Sequence, residues 1–102
     1  MSSFARKETQ ISMATNFRIE RDDQGPELHL RLSGDFNGRS AKQLLEAINT
    51  GGKSYPRVIV HTSGLDRIHP FGRSVFNSFL GSLRNRPLQL MYTGKNATQF
   101  NA

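Results

Sequence analysis

Cysteine is absent from the 102 residues, so no disulfide framework, thiolate metal site or thiol nucleophile is available, and packing alone must hold the core. Long apolar runs are missing too. No stretch approaches the roughly 18 consecutive apolar residues of a membrane span, and the opening MSSFARKETQISMATN has none of the apolar character of a secretory leader. These absences point to a cytoplasmic protein without a membrane span. Acidic side chains are the third scarcity, and it is local. Residues 1–35 carry five basic and six acidic groups, whereas residues 36–102 carry nine basic and two acidic ones. The formal net charge of +6 is therefore concentrated in the second part, where it favours acidic partners without choosing among protein, nucleic acid and anionic lipid. The basic residues are scattered rather than run together, which is the pattern of a solvated face.

What is present fits one small domain, because a chain of this length supplies a single core. The stretch from Val58 to Leu83 organises the rest. Val58, Ile59 and Val60 form a β-branched run of the kind expected in a short strand covered on both faces. A loop should follow. Past Pro70 and Gly72, the residues Phe76, Phe79, Leu80 and Leu83 stand at i, i+3, i+4 and i+7 and predict one buried helical stripe. Upstream, residues 1–14 are polar and without periodicity, and read as a flexible N-terminal extension to a domain over 15–102. Phe17 and Ile19 alternate with Arg18 and Glu20, turn residues run from Asp22 to Pro26, and Leu28, Leu30 and Leu32 alternate with His29 and Arg31, which together predict a hairpin. Gly34 is expected to end its second strand. Ser40 and Gln43 have the form of a capping box, and Ala41, Leu44, Leu45 and Ile48 give the helix that follows a buried stripe. After the second helix, Arg86-Pro87 should lead into a last short strand, LQLMY, with Phe100 a candidate to dock on the core. The order predicts an α/β fold with a mixed, mostly parallel four-stranded sheet, an N-terminal antiparallel hairpin strand and packed helices.

Chemistry-bearing residues are present but do not assemble into a catalytic pattern. Asp35, Asp66 and the histidines could be drawn toward Ser63 or Ser74, yet there is no nucleophile elbow and no phosphate-binding glycine loop, so neither an enzyme nor a small-molecule substrate is expected. His29, His61 and His69 could converge at the strand ends. No histidine pair has helical i, i+4 spacing and no cysteine assists, so no metal and no cofactor is expected, which leaves a pH-sensitive role open to the imidazoles.

The order of elements, with the phrases LHLRLSGDFNGRSAKQLLEAI and VIVHTSGLDRIHPFGRSVFNSFLGSL, resembles the STAS domain, the fold of bacterial anti-sigma factor antagonists and of the cytoplasmic tails of sulfate transporters. The resemblance spans about residues 16–95. It rests on Gly34, the segment from Asp35 to Ser40, the strand-to-loop phrase, and Gly72 at the start of the second helix. It implies a protein–protein interaction module in bacterial regulation and signal transduction. Antagonist members open the second helix with Asp-Ser-Ser-Gly or Asp-Ser-Thr-Gly, and a kinase of the anti-sigma type phosphorylates a hydroxyl there. In this chain the corresponding residues are His69, Pro70, Phe71 and Gly72. The phosphorylation-site positions Pro70 and Phe71 carry no hydroxyl, so the resemblance implies a non-phosphorylatable member whose partner is an anti-sigma factor or related kinase-like regulator.

In such a fold, the start of the second helix and the segment from Asp35 to Ser40 lie at the same ends of adjacent parallel strands. The expected partner-binding patch is Phe36, Arg39, Arg67, His69, Phe71 and Arg73, with the aromatic and arginine content of interface hot spots. A competing reading puts Phe36 and Phe71 in the core. The alternative function is a basic module binding nucleic acid or an anionic surface, but the arginines lack interleaved aromatics and no nucleic-acid motif is present.

Overall fold

The computed structural model describes residues 7–11, 16–83 and 89–100. Its elements in chain order are β1 (Lys7–Ile11), β2 (Arg18–Gln24), β3 (Glu27–Phe36), α1 (Gly38–Gly52), β4 (Arg57–Ile68), α2 (Pro70–Leu83), β5 (Gln89–Thr93) and a short 3-10 turn, Ala97–Gln99. The strands form one mixed sheet in the order β1-β2-β3-β4-β5. The first two pairings are antiparallel, and β3-β4 and β4-β5 are parallel. The expected α/β class is therefore present, with one more strand than the four expected. The additional strand is β1, which pairs Lys7 with Asp22 and Ile11 with Arg18. Polar residues at a sheet edge need no buried face to keep a ladder of backbone hydrogen bonds. Residues 7–11 are thus not the loosely attached segment that their lack of periodicity suggested, and the remainder of that extension lies outside the described residues.

Alternation builds the hairpin as expected. Phe17, Ile19, Leu28, Leu30 and Leu32 are all buried, while Glu27, His29 and Arg31 point the other way and are half-buried. The two strands meet at Gln24 and Glu27 across the two-residue turn Gly25-Pro26. Two boundaries differ from the sequence reading. Gly34 does not end β3: it takes φ +88° beside a register shift, and the strand continues to Phe36. A side chain there would be strained by that φ, and an added Cβ would lie 2.3 Å from the Asn16 carbonyl oxygen, so the glycine bends the strand instead of stopping it. Likewise β4 runs on through His61 to Ile68, because the extended β3 offers it partners as far as Phe36↔Ile68. The expected loop after Val60 is mostly strand.

One face of the sheet receives the helices. Leu28, Leu30, Leu32, Val58 and Val60 pack with Ala41, Leu44 and Ile48 of α1 and Phe76 and Leu80 of α2 in a single cluster. Edge-to-face aromatic contacts tie its end: Phe36 lies 5.9 Å from Phe17, 6.2 Å from Phe76 and 5.0 Å from Phe100. Phe100 does dock on the core. Phe79 does not share the buried stripe and is 56% exposed, since three residues beyond Phe76 is about 60° off that residue's direction at a helical period of 3.6. The side chain of Leu83 lies outside the described residues.

Candidate functional site

The ends of β3 and β4 bring two helix starts together. Asp35 pairs with Arg67 and Phe36 with Ile68, and the His69 N–H donates to the Phe36 carbonyl at 2.9 Å, closing the strand pair just before α2 begins. Directly after β3, Asn37 is the N-cap of α1 in place of Ser40: its side-chain oxygen accepts the Ser40 N–H at 3.0 Å. Ser40 is fully buried instead, with its hydroxyl 2.8 Å from the Asp35 carbonyl and 3.0 Å from Asn37 Oδ1. Asparagine satisfies an orphan N–H as well as serine does, and a buried serine needs the local acceptors it finds here. Gly72 completes the junction. A Cβ on it would stand 2.8 Å from the Asn37 backbone, so the first turn of α2 approaches the α1 cap as only a glycine allows.

The junction divides the expected patch. Phe36 is 0% exposed and belongs to the core, because it ends β3 on the face covered by helices and is ringed by Phe17, Phe76 and Phe100. It cannot meet a partner. Phe71 is 71% exposed, with its ring beside Gly38, where an added Cβ would come within 2.8 Å of it. Arg39 and Arg67 are exposed, and His69 and Arg73 are half-buried. Neither helix has an acidic residue in its first turn, so nothing there offsets the partial positive charge of the two N-termini. Pro70 opens α2, where its missing N–H costs no helical bond. The exposed Phe79, two turns along α2 from Phe71, adds a second ring that the stripe assignment had hidden.

A second cluster lies on the sheet face turned away from the helices, and it joins two of the three histidines expected to converge, His29 and His61, without His69, which follows the end of β4. His29 Nδ1 and His61 Nε2 are 2.7 Å apart across β3 and β4, with the rings 5.0 Å apart and 20° from parallel. His29 Nε2 lies 3.1 Å from Glu27 Oε1, and His61 Nδ1 lies 3.1 Å from Thr93 Oγ1. Arg57 donates to Glu27 at 2.9 Å, and Arg31 donates to Asp22 at 3.2 Å. The Arg57 hydrogen bond, with that of His29, holds the Glu27 carboxyl below its ordinary value. Burial, with the neighbouring His29 and Arg31 charges, pushes His61 below its ordinary value of 6.5. The outward alternation of His29 was legible in the sequence, but the β3-β4 register, which sets His29 opposite Ile59 and His61 opposite Arg31 and so makes the two imidazoles diagonal neighbours, was not. Among the described residues, no group of three or more histidine, cysteine or acidic side chains could hold a metal ion, and no helix is long and apolar enough to cross a membrane.

No family model and no curated protein matches the sequence. The fold, however, is similar to that of solved structures of a protein named Mglu. One superposes with a TM-score of 0.61 over 71% of this chain and 18% of that chain, at 19% identity. Another, Mglu in its L-glutamate binding form in the presence of 4.3 M NaCl, gives a TM-score of 0.61 over 81% of this chain and 27% of that chain, at 16% identity. The chain thus spans about a fifth to a quarter of the length of those proteins. At these identities the likeness is one of fold.

Proposed function

We propose that the chain is a STAS-type protein-interaction module of bacterial regulation, acting without catalysis and without phosphorylation of its own, and that it binds its partner at the start of α2. The observation that carries this reading is Phe71, a large ring left 71% exposed in the first turn of a helix and lying beside Gly38, with the exposed Arg39 next to that glycine in sequence and the exposed Arg67 near the end of β4. An exposed aromatic beside arginines is the composition of a binding hot spot with a charged rim. The charge favours a partner with an acidic rim, and the family resemblance supplies its class, an anti-sigma factor or related kinase-like regulator. Pro70 and Phe71 make the surface permanent, since neither side chain accepts the phosphoryl group whose charge of about −1.5 to −2 switches such interfaces.

The test begins with affinity capture from the source cell and identification of the retained protein, followed by binding titrations at about 50 and 200 mM salt. Binding with an apolar centre survives that change, whereas phosphate-dominated binding falls by orders of magnitude and would point to nucleic acid instead. Incubation with the captured kinase-like partner and ATP should leave Ser63 and Ser74 unmodified by mass spectrometry. Stoichiometric phosphate on either would contradict the loss of the switch.

A further inference from the structure

We propose that the chain Glu27–His29–His61–Thr93 on the open face of the sheet is a pH-sensitive lock: two imidazoles share one hydrogen bond across the β3-β4 seam, accept a first proton without parting, and are forced apart by a second. Hydrogen-bond accounting fixes the resting state. The Glu27 carboxylate can only accept, so His29 Nε2–H donates to it across 3.1 Å, which leaves His29 Nδ1 to accept from His61 Nε2–H across 2.7 Å. His61 Nδ1 then accepts from the Thr93 hydroxyl across 3.1 Å. Every ring nitrogen is matched with both histidines neutral.

A first proton enters by reversing two of these bonds. His29 keeps its Nε2–H toward Glu27 and donates from Nδ1–H to His61 Nε2, while His61 carries its own proton on Nδ1 and donates to Thr93 Oγ1. The cation then lies next to the Glu27 carboxylate. A second proton has no such place. Both nitrogens of the 2.7 Å contact would be donors on charged rings, and the bond between them could not persist.

The surrounding groups set the direction of the response. On β3 these are Glu27 and Arg31; on β4, Arg57, which is held by Glu27 and by Gln89 of β5; and on β2, Asp22, which is held by Arg31, with Glu20 paired opposite Arg31. On β1, Lys7 and Thr9 occupy the register positions opposite Asp22 and Glu20. The carboxylates of Asp22 and Glu27 are thus already engaged by arginines, and only Glu27 also reaches an imidazole, so one positive charge is compensated and a second is not. The depression of His61 by burial and by the His29 and Arg31 charges accords with this. Opening has a structural consequence. Ile59 faces away from the helices opposite His29 yet is only 8% exposed, and its β5 partner Met91 is 48% exposed. Parting the rings beside Ile59 would expose it next to the already half-exposed Met91.

The experiment is an imidazole ¹⁵N NMR titration of the full chain between pH 8 and 4.5, with melting curves at the same pH values for the wild type, His61→Phe and Thr93→Val. At pH 8 both rings should be Nε2–H tautomers. On acidification the pair should take up its two protons in macroscopic steps separated by roughly tenfold or more in proton concentration. His61→Phe should reduce this to one step at His29 and lose less Tm on acidification than the wild type does, because its depressed site is gone. Thr93→Val leaves both rings in place but removes the hydroxyl that donates to His61 Nδ1, and should shift the tautomer balance of the coupled pair. If His29 and His61 of the wild type titrate as independent single sites, or if the wild type and His61→Phe lose Tm in parallel, the lock does not exist.

Discussion

Phe36 and Phe71 stand on opposite sides of one junction. Phe36 ends a strand and is sealed among three other rings, whereas Phe71 opens a helix and is left mostly in water. Composition cannot tell them apart, since each is a phenylalanine near glycines and an arginine at the carboxyl end of a parallel strand. The difference comes from direction. Phe36 has the inward parity of Leu28, Leu30 and Leu32 along β3, and Phe71 falls on the side of α2 away from Phe76 and Leu80. One ring therefore contributes to stability and the other is available for recognition.

Removing the inner ring should have the largest effect. Phe36→Ala leaves a cavity among Phe17, Phe76 and Phe100 and should cost about 3–5 kcal/mol, measured by urea unfolding. Leu30→Ala, in the same covered layer, should cost about 2–5 kcal/mol. Gly72→Ala tests the junction itself. Its new Cβ has to displace the Asn37 backbone from 2.8 Å, an overpacking that should cost about 1–3 kcal/mol and weaken partner binding by tilting the first turn of α2. On the open face, Arg31→Ala breaks an ion pair that is largely solvated on the arginine side and should cost less than about 1 kcal/mol. Equal losses for Leu30→Ala and Arg31→Ala would mean that the two faces of β3 have been exchanged.

The pH response separates the faces too. His61 is depressed in the folded chain, so the unfolded chain takes up its proton first. Stability should be fully present above about pH 6.5, fall as the pH drops below that value, and level off once the folded His61 is protonated. Glu27, also depressed, contributes stability above its ordinary value of 4.5 that is lost as the pH falls through its folded value. Melting curves from pH 8 to 4 should show the histidine loss first.

What could be read from the sequence was what periodicity carries. The alternation in β2 and β3, the α1 stripe and the start of α2 at Pro70 follow from the order of apolar and polar residues. The rest depended on partners distant in the chain. β1 has no apolar pattern and forms because β2 offers it an edge, and β4 extends to Ile68 because β3 runs beside it past Gly34. Ser40 had the form of a cap for the Gln43 N–H, but the helix begins one turn earlier, where Asn37 accepts the N–H of Ser40 itself. The contrast between Phe36 and Phe71 required β3 to keep its parity past Gly34 beside β4, and the meeting of His29 with His61 required the register across those strands, which no local pattern encodes.

The most direct measurement compares partner affinity and melting temperature for Phe71→Ala against the wild type. With the ring in water, Phe71→Ala should change stability by no more than about 0.5 kcal/mol, while binding weakens by at least about 2 kcal/mol, or roughly thirtyfold. Arg73→Glu should mainly slow association. A folded Phe71→Ala that binds the captured partner with unchanged affinity and rate would contradict the account and move the interface away from the start of α2.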